Sequence, residues 1–380
     1  MIYLDNAATS WPKPDGVIKA MERALLGFSS NPGRGVHKGA LGAERIVSHT
    51  RELLAQLFNI QDPSRIVFAA NATHALNQAI QGSLKPGDQV ITTTMEHNSV
   101  WRPLKYLERK GVELKAVRCD EFGQISPAEI ERNIQSNTSL IVTTHASNVT
   151  GTVQPVKEIG KIARKHGITY LLDASQTAGV LPIDVVELNV DLMAFPGHKG
   201  LLGPQGTGGL YIRAGAELEP LIQGGTGGNS ELEFQPEILP GKYESGTLNT
   251  VGIAGLGAAV EYLLAQDQAE IMQKETYLCE SLIKGVSEID KVKIYGPPDR
   301  KGMAPVVSIN LAGVESNEVG YILDRAFQIA VRSGLHCAPQ AHATIGTSEQ
   351  GTVRFSPSSF NSEQDVLSAI TALKEIAREF

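Results

Sequence analysis

The sequence predicts an α/β protein: a large domain with a mostly parallel sheet covered by helices, and a smaller α+β domain. Three observations predict it. From Arg65 onward, short apolar runs alternate with segments of helical period, the pattern of a parallel sheet with crossover helices. Those runs end in polar residues, at the rim where such sheets bind ligands. After Leu248 the alternation gives way to long helical stretches. At 380 residues there is room for two domains. We expect the larger over residues 15–255 and the smaller to combine 1–14 with 256–380.

Runs over Ile66–Ala69, Gln89–Thr93, Leu140–Thr144, Thr169–Asp173 and Leu192–Phe195 read as strands. Helices are expected between them over Trp101–Lys110, Pro127–Asn133 and Pro155–His166. In the second part, helices over Val251–Ala265 and Gln268–Glu288 lead to strands at Lys291–Ile294 and Val306–Leu311. A helix near Asn317–Ala326, a strand at Thr352–Phe355 and a helix over Gln364–Arg378 complete the reading.

The net charge is −7, with acids and bases interspersed and no basic block, which argues against a nucleic-acid partner. No apolar run approaches membrane-spanning length, and the first residues lack the charged region and apolar core of a signal peptide. No membrane partner is expected, and the cytoplasm is the expected location. Cys119, Cys279 and Cys337 are an odd number, far apart and without a CxxC, which fits a reducing compartment. No metal is expected.

The centre of the chemistry is residues 191–206, where the apolar strand stops at Pro196-Gly197 and His198-Lys199 follow. A lysine at the mouth of a buried strand is partly desolvated. That favours the neutral amine a Schiff base with pyridoxal 5'-phosphate requires. Asp173, after apolar Tyr170-Leu171-Leu172, needs a cationic partner or several hydrogen bonds, and a protonated pyridine nitrogen would be such a partner. At the same rim, Thr73 is placed to cap a helix whose first-turn N–H groups suit a phosphate. His97 could stack on a planar ring, and Asn148 could donate to a phenolic oxygen. Cys337 lies in a loop between Gly334 and Pro339, where nearby Arg332 and His336 would favour its thiolate. Cys119 and Cys279 read as buried structural cysteines. Arg354, near the end of a strand, has the planar fork that clamps a carboxylate.

With these residues in place, the chain resembles the cysteine desulfurases of the aminotransferase class V group, pyridoxal-phosphate enzymes of fold type I. The resemblance covers nearly the whole chain: Tyr3-Leu-Asp-Asn-Ala-Ala-Thr, Glu96-His97, Ser147-Asn-Val-Thr-Gly-Thr, Asp173-Ala-Ser-Gln, Gly197-His-Lys, Glu244-Ser-Gly-Thr, Arg332-Ser-Gly-Leu-His-Cys-Ala and Arg354. It implies that Lys199 carries the Schiff base, His97 stacks on the ring and serves as a proton shuttle, and Asp173 pairs with the pyridine nitrogen. It also implies that Asn148 and Gln176 address the phenolic oxygen, and that Thr73 and His198 hold phosphate. Thr247 would reach in from the other subunit of a homodimer. Arg354, with Arg332 and Asn148, would bind the substrate, L-cysteine. Cys337 would take its sulfur as a persulfide, leaving L-alanine, and a thiol or sulfur-acceptor protein would carry the sulfur on, as in iron–sulfur cluster assembly. The compact interval between Cys337 and Arg354 is similar to that of the type II enzymes, a resemblance that implies activation by a partner. Two departures stand out: Pro196 replaces the family's usual serine, and Asn71-Ala72 stands where Gly-Thr is common. Three rival readings remain: a selenocysteine lyase acting on L-selenocysteine, a class V aminotransferase, and a cofactor-binding sulfur-relay or regulatory protein without turnover.

Overall fold

In the computed structural model, which describes residues 1–27, 30–32, 35, 37–228, 231–299 and 302–380, a seven-stranded sheet forms the centre of the larger unit. Its strand order is Ile66–Ala69, Gly208–Ile212, Leu192–Pro196, Thr169–Asp173, Thr138–Thr144, Gln89–Thr93 and Glu113–Val117. All neighbours pair parallel except around Gly208–Ile212, which runs against both of its partners. The continuous apolar runs have a clear cause. Ile91, Ile141, Tyr170, Leu172 and Met193 feed one core, while Val90, Leu140, Val142, Leu171 and Leu192 feed the other. Both faces are therefore covered, and neither can be polar.

Two strands of this sheet escaped the sequence reading. Glu113–Val117 is an edge strand with exposed Glu113 and Lys115, too polar to stand out. Gly208–Ile212 looked like loop because it starts with two glycines, yet all five residues are buried. The reason is packing: a Cβ on Gly209 would lie 2.5 Å from the Phe195 ring. The early helices Asp15–Gly27 and Lys38–Leu57 were likewise not predicted.

A second, four-stranded antiparallel sheet has the order Arg332–Gly334, Thr352–Phe355, Val307–Leu311 and Val292–Tyr295. Helices Gln268–Ser287, Ser316–Phe327 and Glu363–Glu379 pack on it through Leu278, Leu282, Leu323 and Leu373. The start of the chain joins this unit: Ile2–Tyr3 pairs parallel with Ile329–Ala330, and Leu4 enters the same core. Helix Thr250–Leu264 runs through the expected boundary at 255, and its Leu256, Ala259 and Val260 pack into the core of the large sheet. Among the described residues no helix is long and apolar enough to cross a membrane.

Candidate active site

The strand ends converge on a cavity with about 760 Å³ of empty volume, open to solvent. Its wall contains Thr73, His97, Asn148, Asp173, Gln176, His198, Lys199, Arg332 and Arg354, residues drawn from both sheets. Nine of the predicted side chains thus meet in one place. Pro196 and Ala72 are also in the wall.

Lys199 is delivered by a tight turn after Leu192–Pro196. Gly197 N–H donates to Thr207 O at 2.8 Å, and Gly203 N–H returns to Gly197 O at 2.7 Å. A side chain at 197 would drive its Cβ to 2.1 Å from Thr207 Oγ1, so only glycine fits. Burial lowers the Lys199 ammonium to about 8; the Asp173 carboxylate opposes this, and the Arg354 and Arg332 guanidiniums add to it. At pH 7 roughly a tenth of such a lysine is free amine. Asp173 is buried and accepts from Ser175 N–H at 2.9 Å. Its own carboxyl is raised by burial, against the Ser175 hydrogen bonds and the Lys199 charge.

His97 ends its loop as the cap of helix Asn98–Glu108, its Nδ1 accepting from Ser99 N–H at 3.0 Å. Burial, reinforced by Lys199, lowers its imidazolium to about 4, so the ring facing the cavity is neutral. Thr73 does not cap its helix. Asn71 does, accepting from His74 N–H at 2.9 Å, because its side chain precedes the first turn while Thr73 lies inside it. Thr73 Oγ1 instead bonds Ser99 Oγ at 2.7 Å. Ser99 lines the cavity and links Thr73 to His97. No sequence signal marked it beyond its place two residues after His97.

His198 meets the Thr9 hydroxyl at 3.1 Å, and its backbone oxygen accepts from Ser10 N–H and Lys13 Nζ. Gln176 donates to Ala7 O at 3.2 Å, and Asn148 to His336 O at 2.7 Å. Arg354 is fully buried; it donates to Asp5 Oδ1 at 2.8 Å and to Asn148 O at 3.0 Å, and its Nε is buried without a protein partner.

Two predicted residues are outside the wall. Thr247 is exposed and accepts from Asn31 Nδ2 at 3.2 Å. Cys337 is exposed, one side chain away: Arg332 Nη2 donates to its Sγ at 3.2 Å. Cys119 and Cys279 are buried. The expected help from His336 fails. Its ring is buried and turned towards Arg332 O and His342, and burial with the Arg354 charge holds it neutral, lowered to about 2.

Glu96, behind Asp173, is fully buried and accepts from Thr93 Oγ1 and Thr144 N–H. Burial pushes it up to about 8, against those two bonds, with the Asp173 charge raising it further. Its ordinary value is 4.5, so between 4.5 and about 8 the folded state keeps a proton that the unfolded state loses, and stability falls as pH rises through that window. Glu96→Gln should therefore melt well above wild type at pH 9 and close to it near pH 4.5. Thermal unfolding at both pH values checks this, and an equal shift at both would remove Glu96 ionisation as the cause.

An amine, a buried carboxylate and hydroxyls beside a helix start answer three different groups on one small molecule. Pyridoxal phosphate presents all three, as an aldehyde, a ring nitrogen and a phosphate, and the residues that would answer each line this one cavity. The comparisons agree. The aminotransferase class-V family model matches residues 2–368, and the chain belongs to that family of pyridoxal-phosphate enzymes. It is 38% identical to a probable cysteine desulfurase of Methanothermobacter thermautotrophicus, over 99% of this chain and 94% of that protein. It is 31% identical to a cysteine desulfurase of Haloferax volcanii, over 100% and 90%. The apo structure of the cysteine desulfurase from Thermococcus onnurineus superposes with a TM-score of 0.93 at 34% identity, covering 100% of this chain and 95% of that one. The fold is pyridoxal-phosphate fold type I.

Proposed function

We propose that this cavity converts L-cysteine to L-alanine and that the sulfur is received by Cys337 as a persulfide. The chain is an enzyme of the cysteine desulfurase kind, like its full-length relatives. One observation carries the persulfide step: Arg332, in the wall beside Lys199 and Arg354, donates directly to the sulfur of the exposed cysteine. A guanidinium is the partner a thiolate would take.

When bound, the cofactor supplies an electron sink for the substrate's carbon skeleton. Lys199 would hold its aldehyde, and the Lys199 amine would move the proton at the substrate Cα. Asp173 would pair with the ring nitrogen, His97 would pack on the ring, and Asn148 and Gln176 would address the phenolic oxygen. Thr73, Ser99 and His198 would take the phosphate, with Ser99 supplying a hydroxyl where Pro196 has none. Thr247 serves the partner subunit of a homodimer. Arg354 takes the substrate carboxylate, which must share the fork with Asp5. The Cys337 thiolate attacks the substrate sulfur; the S–S bond forms as the C–S bond breaks, and its electron pair stays with the fragment that is protonated to alanine. His97 shuttles a proton in this sequence. In the same reading the persulfide passes to a thiol or acceptor protein for iron–sulfur assembly in the cytoplasm. The two sheets with their helices act as two domains, with helix Thr250–Leu264 belonging to the larger.

Incubating the protein with L-cysteine and dithiothreitol tests the reaction. Alanine and sulfide should appear in equal amounts. A keto acid in place of alanine would move the assignment to an aminotransferase, and turnover confined to L-selenocysteine would move it to a lyase for that substrate.

A further inference from the structure

The turn that carries Cys337 is unusual. His336 and Cys337 are consecutive non-glycine residues with φ of +49° and +58°, a left-handed conformation that L residues adopt at a cost. The surroundings must hold it. Asn148 Nδ2 donates to His336 O at 2.7 Å, and Asn98 N–H donates to Cys337 O at 2.8 Å.

The His336 ring adds a third restraint, and it depends on residues outside the cavity wall. His336 Nε2 lies 3.2 Å from Arg332 O, and its Nδ1 lies 3.2 Å from His342 Nε2. His342 Nδ1 lies 2.7 Å from Thr347 Oγ1. A carbonyl oxygen can only accept, so His336 Nε2 carries the hydrogen and its Nδ1 presents a lone pair. His342 Nε2–H then donates to that lone pair, and the Thr347 hydroxyl donates to His342 Nδ1. This single direction satisfies every atom with both rings neutral. Reversing it would set a lone pair against Arg332 O. The charged groups facing His336 are the cations Arg332 and Arg354, which with burial keep it neutral; burial lowers His342 to about 4.

We propose that Thr347 and His342 are positioning residues for Cys337: the Thr347 hydroxyl sets the direction of the hydrogen-bond chain, and the chain holds the Cys337 turn against Arg332. The proposal rests on the reading of Cys337 as sulfur acceptor. Its test is Thr347→Val in the holoenzyme, which keeps the shape and removes the donor, with Thr347→Ser as the rescue. Three readouts are needed: alanine formed from L-cysteine in a single turnover, the change in visible absorbance on adding L-cysteine, and the rate at which iodoacetamide alkylates Cys337.

Thr347→Val should lower single-turnover alanine by at least about tenfold and shift the alkylation rate. The L-cysteine absorbance titration should keep its midpoint within about twofold, because the substrate groups of the wall are untouched. Thr347→Ser should restore all of these. Wild-type alanine and alkylation in Thr347→Val would overturn the proposal. So would a parallel loss of the absorbance response that serine does not rescue, since that is general damage. Should the valine variant not fold, His342→Gln, whose amide keeps one donor and one acceptor, carries the test: near-wild-type values for it and reduced ones for His342→Leu support the chain, and equal values overturn it. A Cys337→Ala protein that still makes alanine would sink the acceptor reading alone, and altered alkylation in Thr347→Val would still support the positioning role.

Discussion

Cys337→Ala should make alanine from L-cysteine at least about a hundredfold more slowly than wild type, while binding pyridoxal phosphate with the same visible absorbance. The separation follows from the geometry. Cys337 is not part of the cavity wall, so its removal leaves Lys199, Asp173 and the first helical turn as they are. What is lost is the exposed sulfur that Arg332 contacts. Cys119 and Cys279 are buried and offer no substitute, and burial pushes the Cys119 thiol up to about 11, far from the thiolate form. Unchanged alanine formation in Cys337→Ala would end the persulfide mechanism and favour direct elimination.

Lys199→Ala should lose the visible absorbance of a protein-bound Schiff base and reduce turnover by about 10²–10⁴-fold, the usual contribution of a positioned general base. Lys199→Arg should not rescue it, because a guanidinium keeps its proton at any working pH. Wild type supplies a sharper check. The amine form of Lys199 grows as pH rises towards about 8, so the rate at which apoprotein takes up pyridoxal phosphate should climb with pH and level off above that value. A climb continuing towards 10.5, the ordinary lysine value, would mean that burial does not tune this residue.

The large sheet was legible because strands buried on both faces must be apolar throughout, and their ends stand out as polar breaks. Lys199 and Asp173 were found that way, each just where an apolar run stops. Gly208–Ile212 was not, because its glycines answer a steric demand from Phe195, a strand away, that no local pattern records. Thr73 was misread for a related reason: either Asn71 or Thr73 could cap, and only the position of the first turn decides between them. Charge attributed to His336 was an error of environment, since sequence proximity to Cys337 says nothing about which way the ring turns. Ser99, His342 and Thr347 were passed over because hydrogen bonding decides their roles, and a hydroxyl or imidazole in a polar stretch carries no pattern of its own.

The path of the first ten residues has a consequence for how the site comes into being. Ile2–Tyr3 pairs with Ile329–Ala330, Asn6 donates to Ser356 O, and Asp5 holds Arg354. These contacts span more than three hundred residues of chain, among the longest loops this protein closes. Residues 2–6 must therefore wait until residues 329–356 have been made before they find their partners. The large sheet, Lys199 and Asp173 included, can assemble earlier. The corner around Arg354 is completed last, when Asp5 and Arg354 close this long loop.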